Sequence, residues 1–135
     1  MLTCVRNLMV HSQRILIVSD HVQFDFMREA VEARGFEVIV ARDHESALRR
    51  LSGSLFDLVV IDLAQASRGI ELVQRLRVTP KVGKTFVLAL GEWGTGQPAL
   101  ALSQGADACE PKPVNAERIV ASVERLLRRR LAVAE

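Results

Sequence analysis

The run Phe56-Asp57-Leu58-Val59-Val60-Ile61-Asp62-Leu63 constrains this chain more than any other stretch. Leu58 to Ile61 is an unbroken series of leucine and β-branched residues, apolar at both alternating positions. A strand with one wet face would show a polar residue at every second place, so this one is covered on both sides. Such strands belong to parallel sheets with helices above and below. The run ends in a carboxylate, Asp62. In an open parallel sheet the ligand crevice lies outside the carboxyl ends of the strands, where Asp62 falls.

The rest of the chain repeats the theme. Arg14 to Val18 is a second apolar run, ending in Ser19-Asp20. Val22 to Ala33 carries Phe26, Met27, Ala30 and Val31 on one helical face, with Gly35 as its stop. Phe36 to Val40 reads as a strand, and Asp43 caps a helix through Leu51. After the central strand come a helix marked by Ile70, Leu72, Val73 and Leu76, and a strand from Thr85 to Leu90. A short helix at Pro98–Gln104 and a brief strand near Glu110 follow. The last helix, capped by Asn115, shows Ile119, Val120, Val123, Leu126 and Leu127 as one stripe. Strands and helices alternating in this way predict a doubly wound α/β domain on a five-stranded parallel sheet.

Composition narrows the function. The 135 residues hold no apolar run near the roughly 20 that a membrane span requires. Cys4 and Cys109 make neither a disulfide framework nor a C-x-x-C pair, so a reducing cytoplasm is expected. The net charge of +2 is concentrated at the end, where residues 112–135 hold six Lys/Arg against three acids. Basicity confined to one helix argues against nucleic acid as a partner, as does the scarcity of stacking aromatics. Arg125, Arg128, Arg129 and Arg130 read as a solvated helix face at a favourable C-terminal end.

Three polar groups share the carboxyl edge of the predicted sheet: Asp20 after the first strand, Asp62 after the third, and Lys112 after the fifth. Singly, a strand-end aspartate is most often a cap and a loop lysine is most often solvated. Together they form a site with chemistry. Two nearby carboxylates repel by a few kcal/mol near a protein surface. A hard divalent cation such as Mg²⁺ relieves that repulsion, and the lysine adds positive charge. Such a site suits a phosphoryl group arriving on Asp62 as the nucleophile.

R-I-L-I-V-S-D, F-D-L-V-V-I-D-L and G-A-D-A-C-E-P-K-P, at these separations, resemble the receiver domain of two-component response regulators. The resemblance runs from about Arg14 to Leu131. It implies a flavodoxin-like sheet in the order 2-1-3-4-5 and Asp62 as the phospho-acceptor. It also implies Lys112 as the phosphate contact, and Mg²⁺ on Asp20, Asp62 and the Ala64 carbonyl. The Lys112–Pro113 bond is then expected to be cis. Residues 1–13 are expected as a flexible extension, 14–131 as the receiver and 132–135 as a tail, with no output domain. Implied partners are a sensor histidine kinase or phosphotransfer protein. A homodimer or output contact would use the face made by helices 98–104 and 115–130.

The departures from the family pattern are as informative. One of the two usual acids after the first strand is Ser19, which should weaken the metal site. The hydroxyl position ending the fourth strand is Leu90, and the switch aromatic of the fifth is Cys109. The loop after Asp62 is one residue short before Gly69. The acceptor chemistry is preserved while its usual readout is not. A second reading is therefore a pseudo-receiver, a binding module indifferent to phosphorylation. A flavin carrier of the same topology would want a phosphate-cradling loop after the first strand, where Asp20 would repel the phosphate.

Other residues carry less. Cys109 reads as a small core residue. His11, His21 and His44 show no metal spacing and read as solvated surface. Trp93 is either a partner anchor or an aromatic folded onto its own loop. The helix at 98–104 contains no charge, which marks Ala99, Leu100 and Leu102 as an apolar interaction patch.

Overall fold

The apolar runs form one five-stranded parallel sheet. A computed structural model describes residues 13–20, 25–64, 68–80, 83–92 and 94–134. The strands are β1 (Arg14–Val18), β2 (Glu37–Ala41), β3 (Leu58–Asp62), β4 (Phe86–Glu92) and β5 (Ala108–Lys112). Between and after them run α1 (Asp25–Glu32), α2 (His44–Gly53), α3 (Gly69–Val78), α4 (Gln97–Ser103) and α5 (Ala116–Ala134). The sheet order is β2-β1-β3-β4-β5, which puts β3 at the centre. Every residue of β3 is buried, as expected of a strand apolar on both faces.

Alternation along the strands divides the core in two. Leu58, Val60, Leu88 and Leu90 pack with Met27 and Val31 of α1 and with Ile119, Val123 and Leu126 of α5. Val59, Ile61, Val87 and Ala89 face the other way, against Leu51 of α2, Leu72 and Leu76 of α3 and Ala101 of α4. Each fully buried leucine or isoleucine contributes about 1.5–3 kcal/mol, so these two layers dominate the stability of the fold.

The caps fall where the side chains allow them. The Asp43 carboxylate accepts from Ser46 N at 2.7 Å, and Asn115 Oδ1 accepts from Arg118 N at 3.1 Å. Gly35, beyond α1, sits at φ +92°, a conformation that costs glycine little. Gly69 is required for a different reason. A Cβ there would lie 2.5 Å from the Asp62 carbonyl oxygen, so only glycine lets α3 start against the end of β3.

One expectation fails. His44 is not solvated surface; it is 3% exposed, at the first position of α2, and neither ring nitrogen has a hydrogen-bond partner among the described residues. It shares the buried stripe of Ala47 and Leu51, three and seven residues on, which the helical period requires. His11, His21, Trp93 and the extension before Gln13 lie outside the described residues.

Candidate phosphoryl-acceptor site

The carboxyl ends of β1, β3 and β5 meet as the sequence predicts. Asp62 is the last residue of β3, and its side chain is fully buried. Lys112 is the last residue of β5, inside the strand and not in a loop, and it places Nζ 2.5 Å from Asp62 Oδ1. The same oxygen accepts from Ala64 N at 3.0 Å. The Lys112–Pro113 bond is cis, as the resemblance implies. Asp20 follows β1 at the same edge and is exposed.

Ser19 does more than stand in for an absent acid. It is buried, its N–H donates to the Ala41 carbonyl at 3.0 Å, and its hydroxyl donates to Asp62 Oδ2 at 3.2 Å. The Asp62 carboxylate is thus gripped on both oxygens: Lys112 and Ala64 on one, Ser19 on the other. The available signal was positional. Val18 is in register with Ile61, so the next residue on β1 must face Asp62.

Leu90 completes the picture on β4. It is in register with Asp62, fully buried, and part of the apolar layer under α1 and α5. No hydroxyl reaches Asp62 from that place. Cys109 is half-buried and packs against the opposite layer, under α4. Burial pushes its thiol above the ordinary range, helped by the neighbouring Glu110 carboxylate, so it is a packing residue and not a reactive one.

Glu110 is a residue that motif reading passed over. It is in register with Leu90, extending the row that starts at Asp62. Its Oε2 accepts from the Ser122 hydroxyl at 2.9 Å, and its Oε1 lies 3.3 Å from Arg118 Nε. Both partners are on α5, so an acid on the edge strand is bound to the last helix. The signal in the sequence was a charge inside a short strand, with a serine and an arginine facing it from the next helix.

A profile of the response regulator receiver domain matches residues 15–124. The chain belongs to the receiver domain family. Among relatives of this receiver domain, the transcriptional regulatory protein CpxR of Escherichia coli is 36% identical over 118 residues, covering 86% of this chain and 50% of CpxR. The phosphate regulon regulator PhoB of Rhizobium meliloti is 32% identical over 119 residues, 86% of this chain and 52% of that one. The receiver domain here spans about half the length of these curated relatives. A response regulator structure from Chloroflexus aurantiacus superposes with a TM-score of 0.79 at 27% identity, covering 87% of this chain and 98% of that one. The chemotaxis regulator CheY4 of Vibrio cholerae, at 23% identity and a TM-score of 0.79, shares the fold over 86% of this chain and 99% of its own. Receiver domains of this family serve two-component signalling. No helix among the described residues is long and apolar enough to cross a membrane.

Proposed function

We propose that this receiver, residues 14–131, takes a phosphoryl group on Asp62 and acts through protein–protein contacts. The observation that carries the reading is the fully buried Asp62 carboxylate at the open end of β3, with the Lys112 ammonium 2.5 Å away. An oxygen of Asp62 bonds to phosphorus as the donor's leaving group departs with its electron pair, giving an acyl phosphate. Lys112 is placed to stay with the transferred group and balance charge on its oxygens. The protein is a phosphoryl acceptor, with at most slow self-dephosphorylation as an activity of its own.

The donor set fits Mg²⁺. Asp20, Asp62 and the Ala64 carbonyl are hard oxygen ligands, and Mg²⁺ characteristically takes one or two carboxylates and keeps its waters. When bound, the ion would supply positive charge to the transferring group and relieve repulsion between the two acids. Ser19 makes the set poorer by one carboxylate.

A sensor histidine kinase or phosphotransfer protein is the proposed donor. The proposed surface for a homodimer or output partner is α4 with α5. On α4, Leu100 is 47% and Leu102 48% exposed, while Pro98 and Ala101 hold the helix to the core.

Intact mass after incubation with acetyl phosphate and Mg²⁺ tests the reading. The wild type should gain one phosphoryl group and Asp62→Asn none. The second reading, a pseudo-receiver with constitutive contacts, is favoured by Leu90 at the hydroxyl position, and an unmodified wild type would establish it.

A further inference from the structure

A groove of about 430 Å³ runs between α2 and α3, within the roughly 300–1,000 Å³ of small-ligand clefts. The receiver chemistry at Asp62 does not use it. Leu48, Leu51 and Leu76 give it an apolar lining continuous with the core layer behind. Its two hydroxyls already donate within the fold. Ser52 donates to the Arg49 carbonyl at 3.0 Å, and Thr79 donates to the Arg75 carbonyl at 2.7 Å.

Arg49 and Arg75 line the groove from opposite helices. The other arginines on and just before α3 that ion-pair are Arg68, with Glu71 at 2.6 Å, and Arg77, with Asp107 at 2.7 Å. The Arg75 guanidinium, between them, makes no hydrogen bond or ion pair with any described residue, and the Arg49 guanidinium reaches only the Ser46 hydroxyl, at 3.2 Å. Glu71 is one turn from Arg75; its carboxyl is held below the usual range chiefly by its hydrogen bonds to Arg68, with the Arg75 charge a minor contributor. Glu45, the one acid lining the groove, acts on Arg68 as well. An apolar slot flanked by two guanidinium groups, neither in a salt bridge among the described residues, is complementary to an anion with an apolar body.

We propose that the groove between α2 and α3 binds a small organic anion with an apolar body, seated on Leu48, Leu51 and Leu76 and held at its charged end by Arg49 and Arg75. The recognition is of a carboxylate carrying a short aliphatic or aromatic chain.

Decanoate, below its micelle concentration, is a suitable probe, followed by amide chemical shifts of the full chain. Saturable shifts at Leu48, Ser52 and Thr79 are expected. Arg49→Glu with Arg75→Glu should weaken binding about tenfold or more, while Arg50→Glu, at a position that does not line the groove, should leave it unchanged. Decylamine should not compete. Equal binding of decanoate and decylamine, shifts confined to Leu100 and Leu102, or no saturable shift at all would each overturn the proposal. Both substitutions replace exposed side chains, and the amide spectrum itself reports whether the variant is folded.

Discussion

Leu90 stands directly across the sheet from Asp62; the two are paired in the β3–β4 register and both are fully buried. An aliphatic side chain in that place cannot donate a hydrogen bond to a group carried by Asp62. A ligand moves a conformational equilibrium only through differential interaction with the two states. Amide exchange with and without beryllofluoride, as a phosphoryl mimic, should therefore change little along α4 and α5. Introducing a hydroxyl and a ring together, Leu90→Thr with Cys109→Phe, should create protection changes in both helices. Strong changes already present in the wild type would mean that another route, such as Glu110 to α5, carries the signal.

Lys112 should matter to stability as well as to chemistry. Lys112→Met removes the ammonium facing a buried carboxylate, and breaking such a pair from one side costs about 3 kcal/mol. Urea unfolding without divalent metal measures this. Adding Asp62→Asn to that variant should restore much of the loss. If the two substitutions simply add, the pair is not coupled.

Ser19→Asp exchanges a hydrogen-bond donor to Asp62 for a second negative charge. Without metal the variant should be less stable by about 2 kcal/mol, since a buried hydrogen bond is lost and repulsion gained. With Mg²⁺ the order should reverse, and calorimetric titration should show tighter binding than in the wild type. Equal affinities would show that position 19 does not reach the ion.

The Cys109 thiol titrates above its ordinary range in the fold, chiefly through burial. The folded chain therefore keeps a proton that the unfolded chain gives up first. That contribution is whole below the ordinary thiol value and is lost as pH rises through the raised one. Cys109→Ala should flatten the alkaline side of the stability curve. In a Cys4→Ser background, iodoacetamide should label Cys109 slowly at neutral pH, and faster in Glu110→Gln.

How much of this was readable in the sequence depends on range. β3 and β1 were legible because a strand covered on both faces has a composition that little else produces, and Asp20, Asp62 and Lys112 followed from strand ends. His44 was legible in principle, as part of a stripe with Ala47 and Leu51, but a polar residue at a helix start draws the eye to solvent. The pair of Arg77 and Asp107 was not legible. Thirty residues separate them, and no local pattern announces a contact made only when α3 packs beside the turn after α4.

That last contact has a mechanical meaning. Arg77 donates to the carbonyls of Gly105, Gly83 and Thr85 and to the Asp107 carboxylate, and its side chain fills the space a Cβ at Gly105 would need. The C-terminal end of α4 is in this way bolted to α3. Its N-terminal end follows Gly94 and Gly96, both at positive φ, with no side-chain cap. The helix is thus braced at both ends by different means, side-chain bonds at one and Pro98 packed beside Gly91 at the other. Leu100 and Leu102 stand between the two braces, so a partner that grips them meets a supported surface.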